Sequence, residues 1–102
     1  MTQFDKAIRD KIPEIIKESG KNCNVKKLTD SEFLTQLEKK LVEELSEYQE
    51  SKNVEELADI LEVIYRISEL KGITSDELDS IKNEKAKKRG KFDDNLFLVD
   101  TD

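Results

Sequence analysis

Leu41 to Leu70 reads LVEELSEYQESKNVEELADILEVIYRISEL, and the reading of this stretch decides the fold. Apolar residues recur at intervals of three and four on both sides of a short break at Ser51 to Asn53, which is the spacing of two amphipathic helices. Each half also carries two carboxylates three residues apart, Glu44 with Glu47 and Glu56 with Asp59. Residues three apart share one face of a helix. If the break folds the halves antiparallel, the four acids converge. A hard divalent cation such as Mg²⁺ is then the natural counter-charge for a cluster of oxygens.

The first helix begins upstream. Thr29 followed by Glu32 is a capping box, in which each side chain satisfies a backbone N–H of the other's end of the first turn. Its apolar stripe is Leu34, Leu37, Leu41, Leu45 and Tyr48. At about 100° per residue, Glu44 lies roughly 60° from the middle of that stripe and Glu47 roughly 120°. Both stand on its flank, while Glu43 is expected to point away into solvent. Asn53, with Glu56 three residues on, opens the second helix by the same capping logic. This helix carries two apolar stripes: Leu57, Leu61 and Ile64, and Ile60, Val63, Ile67 and Leu70. A helix apolar on two sides must be covered on two sides, which predicts a subunit interface. The second stripe runs back through Glu56 and Asp59, so two acids stand where the pattern would place apolar residues. Burying them without compensation is costly.

Further outward, Pro13 at a first helical position and Gly20 just past an end predict a short helix from Pro13 to Glu18. Arg9, Asp10 and Lys11 precede it as a charged cluster, which charge alone reads as a solvated turn. Lys21 to Leu28 carries few helix signals and reads as a short strand, and its Cys23 as a packed thiol. Gly72 follows the second helix of the central stretch. Thr74 with Glu77 then opens a helix that runs to about Arg89, where Gly90 stops it. That helix is poor in apolar residues and ends in Lys82, Lys85, Lys87, Lys88 and Arg89. Such cations complement the helix dipole or bind phosphate; charge alone does not choose. Phe92 to Asn95 reads as a turn. Leu96 to Val99 reads as a second short strand, paired with Asn22 to Leu28, before a fraying tail.

The chain has 102 residues, which predicts a single domain spanning residues 1–102. Only 35% of residues are hydrophobic while 41% are charged, a thin supply for a self-contained core, and homodimer or homotetramer formation is expected to supplement it. The expected class is all-α: an antiparallel helix bundle completed by oligomerisation, with the two short strands flanking it. A net charge of -6 argues against nucleic-acid polymers and acidic membranes as partners. The absence of histidine excludes a Ser-His-Asp triad, a Cys-His dyad and a histidine-ligated zinc site. A single cysteine, no long apolar run and no signal-peptide core point to a cytoplasmic protein without an intramolecular disulfide.

These residues leave two readings of the acids open. One is a metal site. The other is an interface salt-bridge network with Arg66, Lys39, Lys40 or the basic end of the last helix as partners.

Glu43-Glu44-x-x-Glu47 followed by Glu56-x-x-Asp59 resembles the signature of the all-α nucleoside triphosphate pyrophosphohydrolases, the MazG-like proteins, with dimeric dUTPases and phosphoribosyl-ATP pyrophosphohydrolase as relatives. Arg9-Asp10-Lys11-Ile12-Pro13 and Lys85-x-x-x-Arg89-Gly90-x-Phe92 are similar to segments of a small subgroup of house-cleaning enzymes, so the resemblance spans nearly the whole chain. It implies a Mg²⁺-dependent enzyme, with Mn²⁺ an acceptable substitute, that splits a nucleoside triphosphate between its α- and β-phosphates into monophosphate and pyrophosphate. It assigns Glu44, Glu47, Glu56 and Asp59 to the metal, and Lys85 and Arg89, then Arg9 and Lys11, to phosphate. Glu47 is the expected group to orient the attacking water. Two positions depart from the relatives. Ala58 stands where MazG proteins often have glycine. Tyr65 is followed by Arg66, where phosphoribosyl-ATP pyrophosphohydrolases often have histidine. House-cleaning hydrolysis therefore ranks above a histidine-biosynthesis role, and a non-catalytic helical oligomerisation module is the rival from another class.

Overall fold

A computed structural model describes residues 3–102; Met1 and Thr2, the start of the mixed N-terminal segment, lie outside the described residues. The chain is all-α. Its helices are α1 (Ile12–Glu18), α2 (Asp30–Ser51), α3 (Val54–Leu70) and α4 (Ser75–Arg89).

Local chemistry sets these boundaries. The capping boxes at Thr29/Glu32 and Thr74/Glu77 are both formed, each threonine hydroxyl accepting from the glutamate N–H and each glutamate carboxylate accepting from the threonine N–H. Asn53 caps α3 differently. Its side chain accepts from the Glu55 N–H, and Glu56 does not reach back, because its carboxylate is turned toward the other acids. The α2–α3 link is only Lys52 and Asn53, with Lys52 in the left-handed region at φ 59° and its N–H donated to the Tyr48 carbonyl at 2.7 Å. That tight reversal lays α3 back along α2. At the far end Gly72, at φ 86°, takes a backbone conformation that a side chain would strain. There the buried Ser68 hydroxyl donates to the Ile73 carbonyl at 2.8 Å and seats the start of α4. Tyr65 donates to Asp79 at 3.1 Å and pins α4 to α3.

The bundle is open. α2 packs on α3 and α4 leans on α3, while α1 packs against none of the other helices. The radius of gyration is 17.8 Å and the long axis spans 59 Å, against roughly 13 Å for the radius of a compact domain of about 100 residues. Among the described residues the buried apolar core is Ala7, Leu37 and Val63, with Phe33, Leu41, Ile67 and Leu70 packed around it. The second α3 stripe therefore faces α2. The first is left open, with Leu57 45% and Leu61 48% exposed beside an equally exposed Leu45.

The two expected strands do not form. Residues 21–28 and 91–102 carry no strand pairing, and Leu96 to Val99 stand between 79% and 90% exposed. Alternating polarity over a few residues specifies a strand only where another backbone takes up its N–H and C=O groups, and neither segment meets one.

Candidate metal centre

The hairpin brings the acids of α2 and α3 together near its turn. Carboxylate oxygens of Glu44, Glu56 and Asp59 lie within 4.8 Å of one another, and those of Glu43, Glu44 and Glu47 form a second such group. Glu44 belongs to both. Octahedral Mg²⁺ holds its oxygens at 2.0–2.1 Å, so ligands around it sit roughly 3 to 4.2 Å apart. Small side-chain rotations close either group onto an ion.

Glu44 is the centre of the cluster. Its residue is 6% exposed, and its Oε2 is buried without a hydrogen-bond partner. Its Oε1 has Lys40 Nζ at 3.4 Å, one helical turn away on α2. Burial first, then the charges of Glu47 and Asp59, hold its carboxyl above the usual 4.5, against the opposing pull of Lys40. Glu56 is half-buried and is likewise held above 4.5, by burial first and then by Glu47, Asp59 and Glu44, with a hydrogen bond to Glu47 adding to the effect. The chain thus concentrates negative charge beyond what its own cations neutralise, and leaves one buried oxygen lone pair unmatched. An oxygen-only donor set with an orphaned buried carboxylate oxygen fits a hard divalent cation.

Its cations come from two places. Lys40 lies on α2. Arg9 reaches in from the N-terminal segment, its Nη2 2.7 Å from Asp59 Oδ1 and its Nη1 3.9 Å from Glu62 Oε1. Among the described residues no ion pair or hydrogen bond joins Lys85, Arg89 or Lys11 to the acids. Lys85 and Arg89 instead line a shallow depression on α4 itself, with Ser80, Ile81, Glu84 and Lys88. Lys11 is exposed at the start of α1.

Two sequence expectations about the acids change. Glu43 does not point freely into solvent: it is half-buried, with Lys6 Nζ at 3.6 Å and Lys40 Nζ at 3.8 Å. The most enclosed acid is Glu44 of the flank pair, whereas Glu56 and Asp59 on the apolar stripe are half-buried. The reason is a rotation of the buried face of α2: Glu44 stands two helical turns after Leu37, on the side turned to α3, whereas Leu45 of the expected stripe is 48% exposed. The Lys40–Glu44 pair was legible, since it follows from i,i+4 spacing. The Arg9–Asp59 pair has no local signal.

Comparison of the chain with protein-family models, with curated proteins and with solved structures finds no match.

Proposed function

We propose that the chain is a Mg²⁺-dependent nucleotide pyrophosphohydrolase that adds water across the α–β anhydride of a nucleoside triphosphate, a non-standard one by the resemblance of its motifs, giving the monophosphate and pyrophosphate. The observation that carries this reading is the buried carboxylate of Glu44, whose Oε2 has no hydrogen-bond partner and which has an oxygen within 4.8 Å of carboxylate oxygens of Glu56 and Asp59. Glu44, Glu47, Glu56 and Asp59 would hold the ion, which neutralises phosphate charge and polarises a water. Glu47, exposed at the edge of the cluster, would orient that water and accept its proton. Arg9 is the phosphate ligand nearest the acids. Lys85 and Arg89, away on α4, would join it only from an associated subunit.

The test is pyrophosphate release from a panel of standard and modified triphosphates in Mg²⁺, with calorimetry of Mg²⁺ binding alongside. Release from at least one triphosphate, abolished by Glu56→Gln or Asp59→Asn with the helical content retained, is expected. No release from any member, with no metal binding, ends the proposal. The rival reading, acids that make intersubunit salt bridges, predicts instead that Glu56→Gln and Asp59→Asn lower assembly stability even without metal.

A further inference from the structure

Residues 6–9 form a strap across the hairpin. Lys6 pairs with Glu43 on α2, Ala7 is buried between Leu37 and Val63, and Arg9 pairs with Asp59 on α3. The root of Arg9 is fixed on both sides: by buried Ala7 before it, and by its carbonyl, which accepts from the Ile12 N–H at 3.1 Å as α1 begins. Its tip is free to swing, since the side chain is 57% exposed.

The carboxylate that Arg9 grips is one of the group of Glu44, Glu56 and Asp59. A guanidinium at 2.7 Å from Asp59 Oδ1 and a dication bound to the same carboxylate repel each other and compete for its charge. Arg9 also has five donors suited to phosphate oxygens. Resting on the metal-centre reading above, we propose that Arg9 is the resident counter-cation of the site: it leaves Asp59 when a divalent ion binds and turns to the phosphate chain, so that cation and triphosphate load together. Free cation alone must displace an arginine into water. Cation arriving with a polyphosphate gives that arginine a new partner, which makes the two ligands mutually reinforcing.

Two titrations on the full chain test this, and they move in opposite directions. The first measures Mn²⁺ alone, by electron paramagnetic resonance. Arg9→Gln is expected to bind it about fivefold more tightly than wild type, the upper end of what an exposed pair contributes. Lys17→Gln removes the same charge from exposed α1, which packs on none of the other helices, and is expected to shift affinity less than about twofold. The second measures inorganic tripolyphosphate at saturating Mg²⁺, where Arg9→Gln is expected to bind about tenfold more weakly. Equal Mn²⁺ affinity for wild type and Arg9→Gln, an equal gain in Lys17→Gln, or equal tripolyphosphate affinity overturns the proposal while leaving the metal centre standing. Absence of Mn²⁺ binding by every form overturns both.

Discussion

Replacing Glu44 by glutamine removes a charge and keeps the shape of the side chain. In the wild-type chain this carboxylate is buried, with Oε2 unpartnered and Lys40 Nζ 3.4 Å from Oε1. The oxygen of Asp59 lies within 4.8 Å, where two unit charges repel by about 1 kcal/mol in water-like surroundings, and by more where water is excluded. Losing the i,i+4 pair with Lys40 costs on the order of 1 kcal/mol, more than for an exposed pair because both side chains are largely buried, and no more because Lys40 keeps Glu43 at 3.8 Å. The desolvation of the charged form is relieved as well, so the gain wins. Glu44→Gln is expected to stabilise the metal-free chain by about 1 kcal/mol, or roughly 4–8 °C in thermal midpoint for a domain of this size. On the proposed metal site, Mg²⁺ is expected to reverse the order. An ion at ten times its dissociation constant adds about 1.4 kcal/mol to the wild type, and little to a variant lacking the ligand common to both acid groups. Melting curves by circular dichroism, in EDTA and then in excess Mg²⁺, read both effects. A variant that melts below wild type in EDTA refutes the reasoning, because Glu44 would then be a stabilising member of an ion-pair network.

Three other outcomes follow from the same structure. Glu44 and Glu56 have carboxyl groups raised above 4.5, so the folded state binds their protons more tightly than the unfolded state. Metal-free stability should fall as pH rises from about 4.5 through those raised values and level off above them; urea midpoints in EDTA measure this, and the Glu44→Gln, Glu56→Gln double variant should lose most of the slope. Leu61→Glu places a charge on the open α3 stripe and is expected to weaken self-association at least about thirtyfold, with light scattering reporting a shift toward the 11.8 kDa monomer. Thr29→Ala removes the α2 cap and should cost about 1 kcal/mol of stability, read as a lower urea midpoint with Mn²⁺ affinity unchanged.

The sequence carries the helices well because their signals are local. Thr29 with Glu32 and Thr74 with Glu77 are complete instructions for a first turn, and both are obeyed. The proximity of Glu44, Glu56 and Asp59 follows from helical spacing and a short link, and it is legible for the same reason. What the sequence does not carry is whatever depends on a distant partner. Cys23 and Val25 alternate with polar neighbours as a strand would, yet no second strand meets them. Glu43 looks solvated on a helical wheel until Lys6 arrives from the N-terminal segment. Arg9 and Asp59 are 50 residues apart, and nothing in either neighbourhood announces the other.

The link of Lys52 and Asn53 has a consequence for the order in which the protein acquires its structure. Every acid of the cluster lies between Glu43 and Asp59, across one tight reversal, so these groups meet through short-range loop closure, among the fastest contacts a chain makes. Their mutual repulsion is therefore met early, before the strap or α4 has docked. A divalent ion that engages at that stage stabilises the folding nucleus as well as the finished protein. Mg²⁺ should accordingly accelerate refolding, with a smaller effect on the unfolding rate.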